Sequence, residues 1–373
     1  MSARSTLNFP VIRGVQAHRE YYVAMWSLRM LRQISIFDEK ELPPELRVQR
    51  VLNKGRIPEI AHYIIDNPDD YVFSALTASI DSEVEFEPLS ASEKKLGILK
   101  VPMDAKFIIN DGQHRRAAII EALDQRPELA HETIAVVFFL DIGLERCQQM
   151  FADLNRHAIR PSRSLGLLYD HRNDKARLAK LVIMKSEVFR DIVDMEKSSL
   201  APRSRKLFTL SAFYNACADL VESLASGDLN QDATLARGFW EAVAAQFPAW
   251  EQVREGRMPA SEVREGFIHS HGIALQALGK AGNALLKTYP NDWAKRLKPL
   301  AKLDWSRANA PLWEGRALIG GKVSKVTSNV TLTTNVIKKT LGLPLDAEEQ
   351  RVEDAHDLRD SPRHSSPSHS SGA

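Results

Sequence analysis

Between Phe107 and Ile119 the chain reads FIINDGQHRRAAI, and four side chains in that stretch could do chemistry: Asp111, His114, Arg115 and Arg116. A guanidinium forks onto a phosphate through two parallel hydrogen bonds, a geometry that an ammonium does not reproduce. A carboxylate and an imidazole close in sequence could also move protons, since histidine titrates near neutral pH. Gly112 permits an unusual φ or close approach of a ligand to the backbone. The grouping suggests an oxyanion or phosphodiester pocket lined by Gly112, Gln113, His114, Arg115 and Arg116, with Asp111 and His114 as the catalytic candidates. The alternative is structural. In that case Asp111 only caps a helix, the arginines pair with carboxylates such as Asp104 or Glu121, and His114 is a satisfied histidine.

Such a group needs a strand to deliver it and a helix to receive it. Phe107 to Ile109 have strand character, Asp111 is a cap residue, and the helix that follows should bury Ile119, Ile120 and Leu123. Ligands of open α/β sheets sit beyond the carboxyl ends of strands, where free N–H groups and the positive end of a helix attract anions. Arg115 and Arg116 stand three to four residues before members of the apolar stripe, so they are not simply on the solvated back.

A second basic group follows the strand Thr133 to Asp141. The helix LERCQQMFADLNRH should turn Leu144, Cys147, Phe151 and Leu154 inward, leaving Asn155, Arg156, His157, Arg160 and Arg163 around its end. The plain reading of this dense basic group is a helix C-terminus whose carbonyls the cations relieve. A third group, KSSLAPRSRKLF, places Lys197, Arg203, Arg205 and Lys206 on a serine-rich loop that could meet phosphates or could be a solvated linker. The stretch RVQRVLNKGR, with Arg47, Gln49, Arg50, Asn53, Lys54 and Arg56, offers base-reading side chains but no helix-turn-helix spacing. Near the end, SNVTLTTNVIKKTLGL could be strand or helix, with Lys338 and Lys339 exposed.

Composition bounds these readings. With 373 residues, 44% of them hydrophobic, there is material for two domains, and 50 Lys+Arg against 48 Asp+Glu leave no overall basic field, so a nucleic-acid site must be a local patch. Cys147 and Cys217 cannot build a disulfide framework and read as core residues. No zinc motif and no P-loop occurs, so no metal site is expected. The opening residues lack a secretory signal and no long apolar run appears, which reads as a cytoplasmic protein with no membrane partner. The pattern implies an α+β chain: a flexible start over 1–10, a mixed α/β domain over 11–165, a mostly helical domain over 166–345, and a disordered tail over 346–373. Strands are expected at Tyr21 to Leu28, Asp70 to Ile80, Gly97 to Pro102, Lys106 to Asn110 and Thr133 to Asp141.

Asp111, Gly112, Gln113, His114 and Arg115 spell the signature of the DGQHR domain family, and their surroundings resemble the DndB type of DNA sulfur modification protein. The resemblance extends over RIPEIAHYIIDNPDDYVFSALTASI, MFADLNRHAIRPSRSLGLLYD and LDWSRANAPLWEGR, and so over most of the chain from about residue 10 to 345. It implies an N-terminal core of the ParB/sulfiredoxin-like superfamily and a DNA-binding regulator, of the transcriptional repressor type, in the DNA phosphorothioate modification system. Asn155 and the RHAIRPSRSL that follows it resemble the asparagine segment that accompanies the box in DGQHR proteins, which implies Asn155, Arg156 and Arg160, with Arg163 beyond them, as candidate phosphate or base contacts. The implied partners are DNA at the promoter of the modification gene cluster and other sulfur modification proteins, with a homodimer compatible with a palindromic site. An enzyme of nucleotides or DNA using Asp111, His114 and Arg115 is the alternative, and an adaptor for other modification proteins a third. Gln113 stands where sulfiredoxin-like enzymes carry their cysteine, so thiolate chemistry is not implied; a nucleotide ligand is left open.

Overall fold

The computed structural model describes residues 5–33, 54–140, 144–156 and 161–360. The chain divides into two compact units, residues 1–159 and 160–373. Among the described residues no helix is long and apolar enough to cross a membrane.

In the first unit, apolar residues at every second position build strands with one buried face. These are β1 (Thr6–Gln16), β2 (Arg19–Ser27), β3 (Leu76–Asp81), β4 (Glu85–Pro88), β5 (Leu96–Pro102), β6 (Lys106–Asp111) and β7 (Thr133–Phe139). They form one mixed sheet in the order β4-β5-β1-β2-β7-β3-β6, with β3 and β7 parallel and the other neighbours antiparallel. Trp26 of β2 is fully buried and meets Phe9, Phe107 and Phe138 at ring-centroid distances of 5.5, 5.4 and 5.1 Å. Phe107 thereby fixes the start of β6, and hence where Asp111 and Gly112 emerge. Among its described residues this unit has the α-helices α1 (Met30–Gln33), α2 (Ile57–Asp66), α3 (Gln113–Gln125) and α4 (Leu144–Arg156). Ala118, Ile119, Ala122 and Leu123 form the buried stripe of α3 while Ile120 is half-buried, and α3 packs on α2, whose first turn tolerates Pro58 because that N–H needs no intrahelical partner.

The second unit is helical, with α5 (Arg163–Tyr169), α6 (Asp174–Lys185), α7 (Phe189–Ile192), α8 (Leu210–Val221), α9 (Leu229–Ala244), α10 (Pro248–Arg254) and α11 (Ala260–Gly266). There follow α12 (Gly272–Thr288), α13 (Trp293–Arg296), α14 (Ala310–Trp313), α15 (Thr327–Thr340) and α16 (Ala347–Asp360). Helix α12 is apolar nearly all round and burial follows: Ile273, Leu275, Leu278, Ala281 and Leu285 are all covered. It approaches α8 so closely that a Cβ on Gly279 would lie 2.3 Å from the Ala216 carbonyl oxygen. A short parallel pair, β8 (Val193–Asp194) with β9 (Phe208–Thr209), brings together the two ends of the loop between them.

Three sequence expectations are corrected. The strand expected from Asp70 begins at Leu76, because the Ser74 and Ala75 carbonyls accept hydrogen bonds from the Arg115 side chain instead of a neighbouring strand. Residues 347–360 of the expected disordered tail form α16; residues 361–373 lie outside the described residues. This helix has no apolar stripe and is held by charge. Asp346 accepts from the N–H groups of Glu348 and Glu349 at 2.9 Å each, and Arg316 forks onto buried Glu353 at 3.0 and 2.9 Å. Asn335 and Lys339 complete the set around Glu353, at 2.9 and 2.6 Å. Burial pushes the Glu353 carboxyl up, but Arg316, Lys339 and Asn335 together outweigh it and hold it down at about 2. Lys338, expected to be exposed, is buried on α15 with its ammonium on Glu349 at 2.5 and 2.6 Å, whereas Lys339 remains half exposed.

Candidate nucleic-acid interface

The DGQHR segment is the junction of β6 and α3. Gly112 makes the turn at φ 98°, a left-handed conformation that L side chains rarely adopt. It is buried, and a Cβ there would lie 2.4 Å from Leu76 Cδ2, so its role is close packing against the start of β3, not an open approach to the backbone. Asp111 is not the helix cap. Gly112 holds that position with no side-chain cap, and Asp111 Oδ2 accepts from Arg115 Nη2 at 2.7 Å.

Arg115 is correspondingly committed inward. Its Nη1 donates to the Ser74 carbonyl at 2.6 Å, the Ala75 carbonyl at 2.9 Å and the Ser74 hydroxyl, and its side chain is 17% exposed. The carboxylate it meets is Asp111 rather than Asp104 or Glu121. Gln113, His114 and Arg116 are half-buried on the first turn of α3. Burial, and after it the charge of Arg56, lowers the His114 pKa and so favours the neutral ring. That Arg56, beside the start of α2, bears on His114 could not be read from residues nearly sixty positions apart.

Of the second group, Asn155 and Arg156 end α4, but their side chains, with His157 and Arg160, lie outside the described residues. The same holds for the side chains of Leu144, Cys147 and Phe151, and for Arg47, Gln49, Arg50 and Asn53. The inward stripe expected on α4 differs at Leu154, which is 42% exposed; Met150, one turn earlier, takes the buried place against Asn110 of β6, whose Nδ2 lies 3.1 Å from its sulfur.

The third group lies on the loop between β8 and β9, in the helical unit. Arg203 and Arg205 are exposed and make no hydrogen bond or ion pair with the described residues. Lys206 donates to the Asp191 carbonyl at 2.6 Å and makes no ion pair with the described residues. The loop is nonetheless fixed in shape. Arg264 of α11 donates to the carbonyls of Ala201, Pro202 and Ser204 at 3.1, 2.6 and 3.2 Å, and also to that of Lys206. Four carbonyls bonded to one guanidinium hold the backbone while Arg203 and Arg205 point their charges to solvent.

The other face of this clamp opens on a cavity of about 570 Å³ that joins Arg163, Arg264, His271 and Lys325. Arg163 is thus brought into a site lined by residues of the helical unit. Arg264, His271 and Lys325 escaped sequence reasoning because they are scattered singly over sixty residues, without a motif. Cys217 is fully buried on α8 and burial pushes its thiol far up, consistent with a core role.

This is a mixed α/β unit with an arginine-stapled turn, joined in one chain to a helical unit bearing an arginine-clamped basic loop. The chain belongs to the DndB family, described as DNA-sulfur modification-associated, whose family model matches residues 9–344. No curated protein and no solved structure matches it.

Proposed function

We propose that this protein is a DNA-binding regulator of the DNA sulfur modification system, of the repressor type, acting at the promoter of the modification gene cluster and gripping the phosphate backbone through Arg203, Arg205 and Lys206. The observation that carries the reading is the loop itself: cations free of carboxylates, on a backbone that Arg264 has already ordered. Ordering a contact loop before binding removes part of the entropic cost of association. Backbone phosphates position a protein on DNA without reading sequence, and exposed arginines on an ordered loop suit that task. Family membership supplies the DNA sulfur modification context.

In this reading the DGQHR turn is a brace. Arg115 and Asp111 neutralise each other and tie the entry of β3 to the start of α3, so Asp111 is not free to serve as a catalytic base. His114, Gln113 and Arg116 retain a supporting role at the protein surface. The test is a mobility-shift assay on duplex DNA from upstream of the modification genes, modified and unmodified, with Arg203→Ala/Arg205→Ala beside the wild type. The wild type should bind and the double variant should lose roughly tenfold or more in affinity. Equal affinity of the two proteins, or turnover of ATP, CTP or DNA with magnesium that His114→Ala abolishes, would replace this reading.

A further inference from the structure

The cavity beside Arg264 has the makings of an anion site that the DNA-binding reading does not use. Arg163, Arg264 and Lys325 contribute three cationic groups to its wall, and among the described residues no carboxylate lines it. Arg163 donates to a neutral amide, Asn215 Oδ1, at 2.9 Å, and Arg264 spends its donors on carbonyl oxygens. Lys325 makes no hydrogen bond or ion pair with the described residues. A countercharge that acts on it is Asp219, which lies 3.8 Å from Lys280. Lys325 is exposed at the mouth of the cavity, yet partial desolvation of its ammonium and, after it, the positive charge of Arg163 push its pKa down, against a smaller opposing pull from Asp219. Arg163, Arg264 and Lys325 therefore face a common space into which no carboxylate of the described residues reaches.

The backbone adds to this field. Helix α12 is 17 residues long, and its amino end opens on the same space with His271 as N-cap and no side-chain cap. A Cβ on Gly272 would lie 3.5 Å from Lys325 Nζ, which puts the ammonium directly over the first turn. The N–H groups of a first turn have no intrahelical acceptor and carry the positive end of the dipole. Hydroxyls of Ser198 and Ser199 border the cations, while Leu200, Leu207 and Ala212 give an apolar side. A bare tetrahedral oxyanion would leave most of about 570 Å³ to water, and this volume falls in the range that encloses small organic ligands.

We propose that this cavity binds a small phosphate ester of mononucleotide size, with its phosphate between Arg163, Lys325 and the amino end of α12 and its organic part against Leu200, Leu207 and Ala212. Phosphate is favoured by the combination of a helix start with flanking arginine and lysine, each of which donates to oxygen. Ser198, Ser199 and Leu200 belong to the same loop as Arg203 and Arg205, and Arg264 touches both cavity and loop, so occupancy bears on how that loop is held. That consequence rests on the DNA-binding reading; the site itself does not.

The test uses the full chain without DNA, titrated calorimetrically with AMP and, separately, with inorganic phosphate in chloride buffer. AMP should bind more tightly than phosphate and be displaced by it in excess. Lys325→Glu should weaken AMP roughly tenfold or more, Arg163→Ala should weaken it in the same direction, and Arg203→Ala/Arg205→Ala should leave it unchanged. Thermal melts of the variants confirm that each is folded. No AMP binding at millimolar concentration, AMP binding unaffected by Lys325→Glu, or phosphate bound as tightly as AMP would each overturn the proposal. Loss of duplex binding in Lys325→Glu without any AMP binding to the wild type would overturn it in favour of a DNA contact.

Discussion

Arg115 and Arg203 are the same residue type in two basic clusters, and the fold gives them opposite tasks. Arg115 is a staple: its guanidinium joins Asp111 to the Ser74 and Ala75 carbonyls and is mostly covered. Arg203 is an exposed charge on a loop that another arginine, Arg264, has pinned by its carbonyls. What separates them is not local sequence but where unpaired carbonyls lie. Carbonyls that a sheet or helix does not satisfy draw in the nearest guanidinium, and that guanidinium is then lost to ligands.

This contrast can be broken by substitution, and the largest effect should come from the staple. Arg115→Ala removes an ion pair and strands two carbonyls, which should cost about 3 kcal/mol of stability, read from urea unfolding. Gly112→Ala forces a side chain into a left-handed turn and against Leu76, and should cost roughly 2 kcal/mol in the same assay. The double variant Arg203→Ala/Arg205→Ala changes surface charge only and should stay within about 0.5 kcal/mol of wild type. A staple variant of unaltered stability, or a destabilised loop variant, would dissolve the distinction.

Acid sharpens the contrast from the side of the helical unit. His269 is buried and accepts from Trp250 Nε1 at 3.0 Å, and burial, followed by the charge of His271, lowers its pKa from 6.5 to about 3. Its neutral form is favoured in the fold, so its contribution is present above pH 6.5 and is lost as pH falls from there toward 3. Glu353, lowered from 4.5 to about 2, contributes above pH 4.5 and loses that contribution as pH falls toward 2. Thermal melts should therefore decline below pH 6.5 and decline further below 4.5, with Glu353→Gln flattening only the second step.

Much of the sheet was readable because alternation at period two carries the burial pattern: β2, β5, β6 and β7 lie where apolar residues alternate, and the strand–turn–helix at Gly112 follows from its grammar. The partners of Arg115 were not readable, since the Ser74 and Ala75 carbonyls lie forty residues upstream and every residue carries a carbonyl. Helix α16 escaped because ion pairs, not an apolar stripe, attach it to α15. The charges of Lys197 to Lys206 stood plainly in the sequence, yet the clamp that shapes their loop comes from Arg264, which no motif announces. The cavity was hidden for the same reason, as Arg163 and Lys325 come to one space only through the packing of α5 on α8, α8 on α12 and α12 on α15.

The most direct test of this division of labour is the salt dependence of DNA binding, followed by fluorescence anisotropy on an upstream duplex at a temperature where all variants are folded. Each phosphate neutralised contributes about 0.9 to the slope of log affinity against log salt. Arg203→Ala/Arg205→Ala should lower that slope by about 2, while Arg115→Ala should leave it at the wild-type value. A slope lowered by Arg115→Ala and untouched in the loop variant would contradict the account.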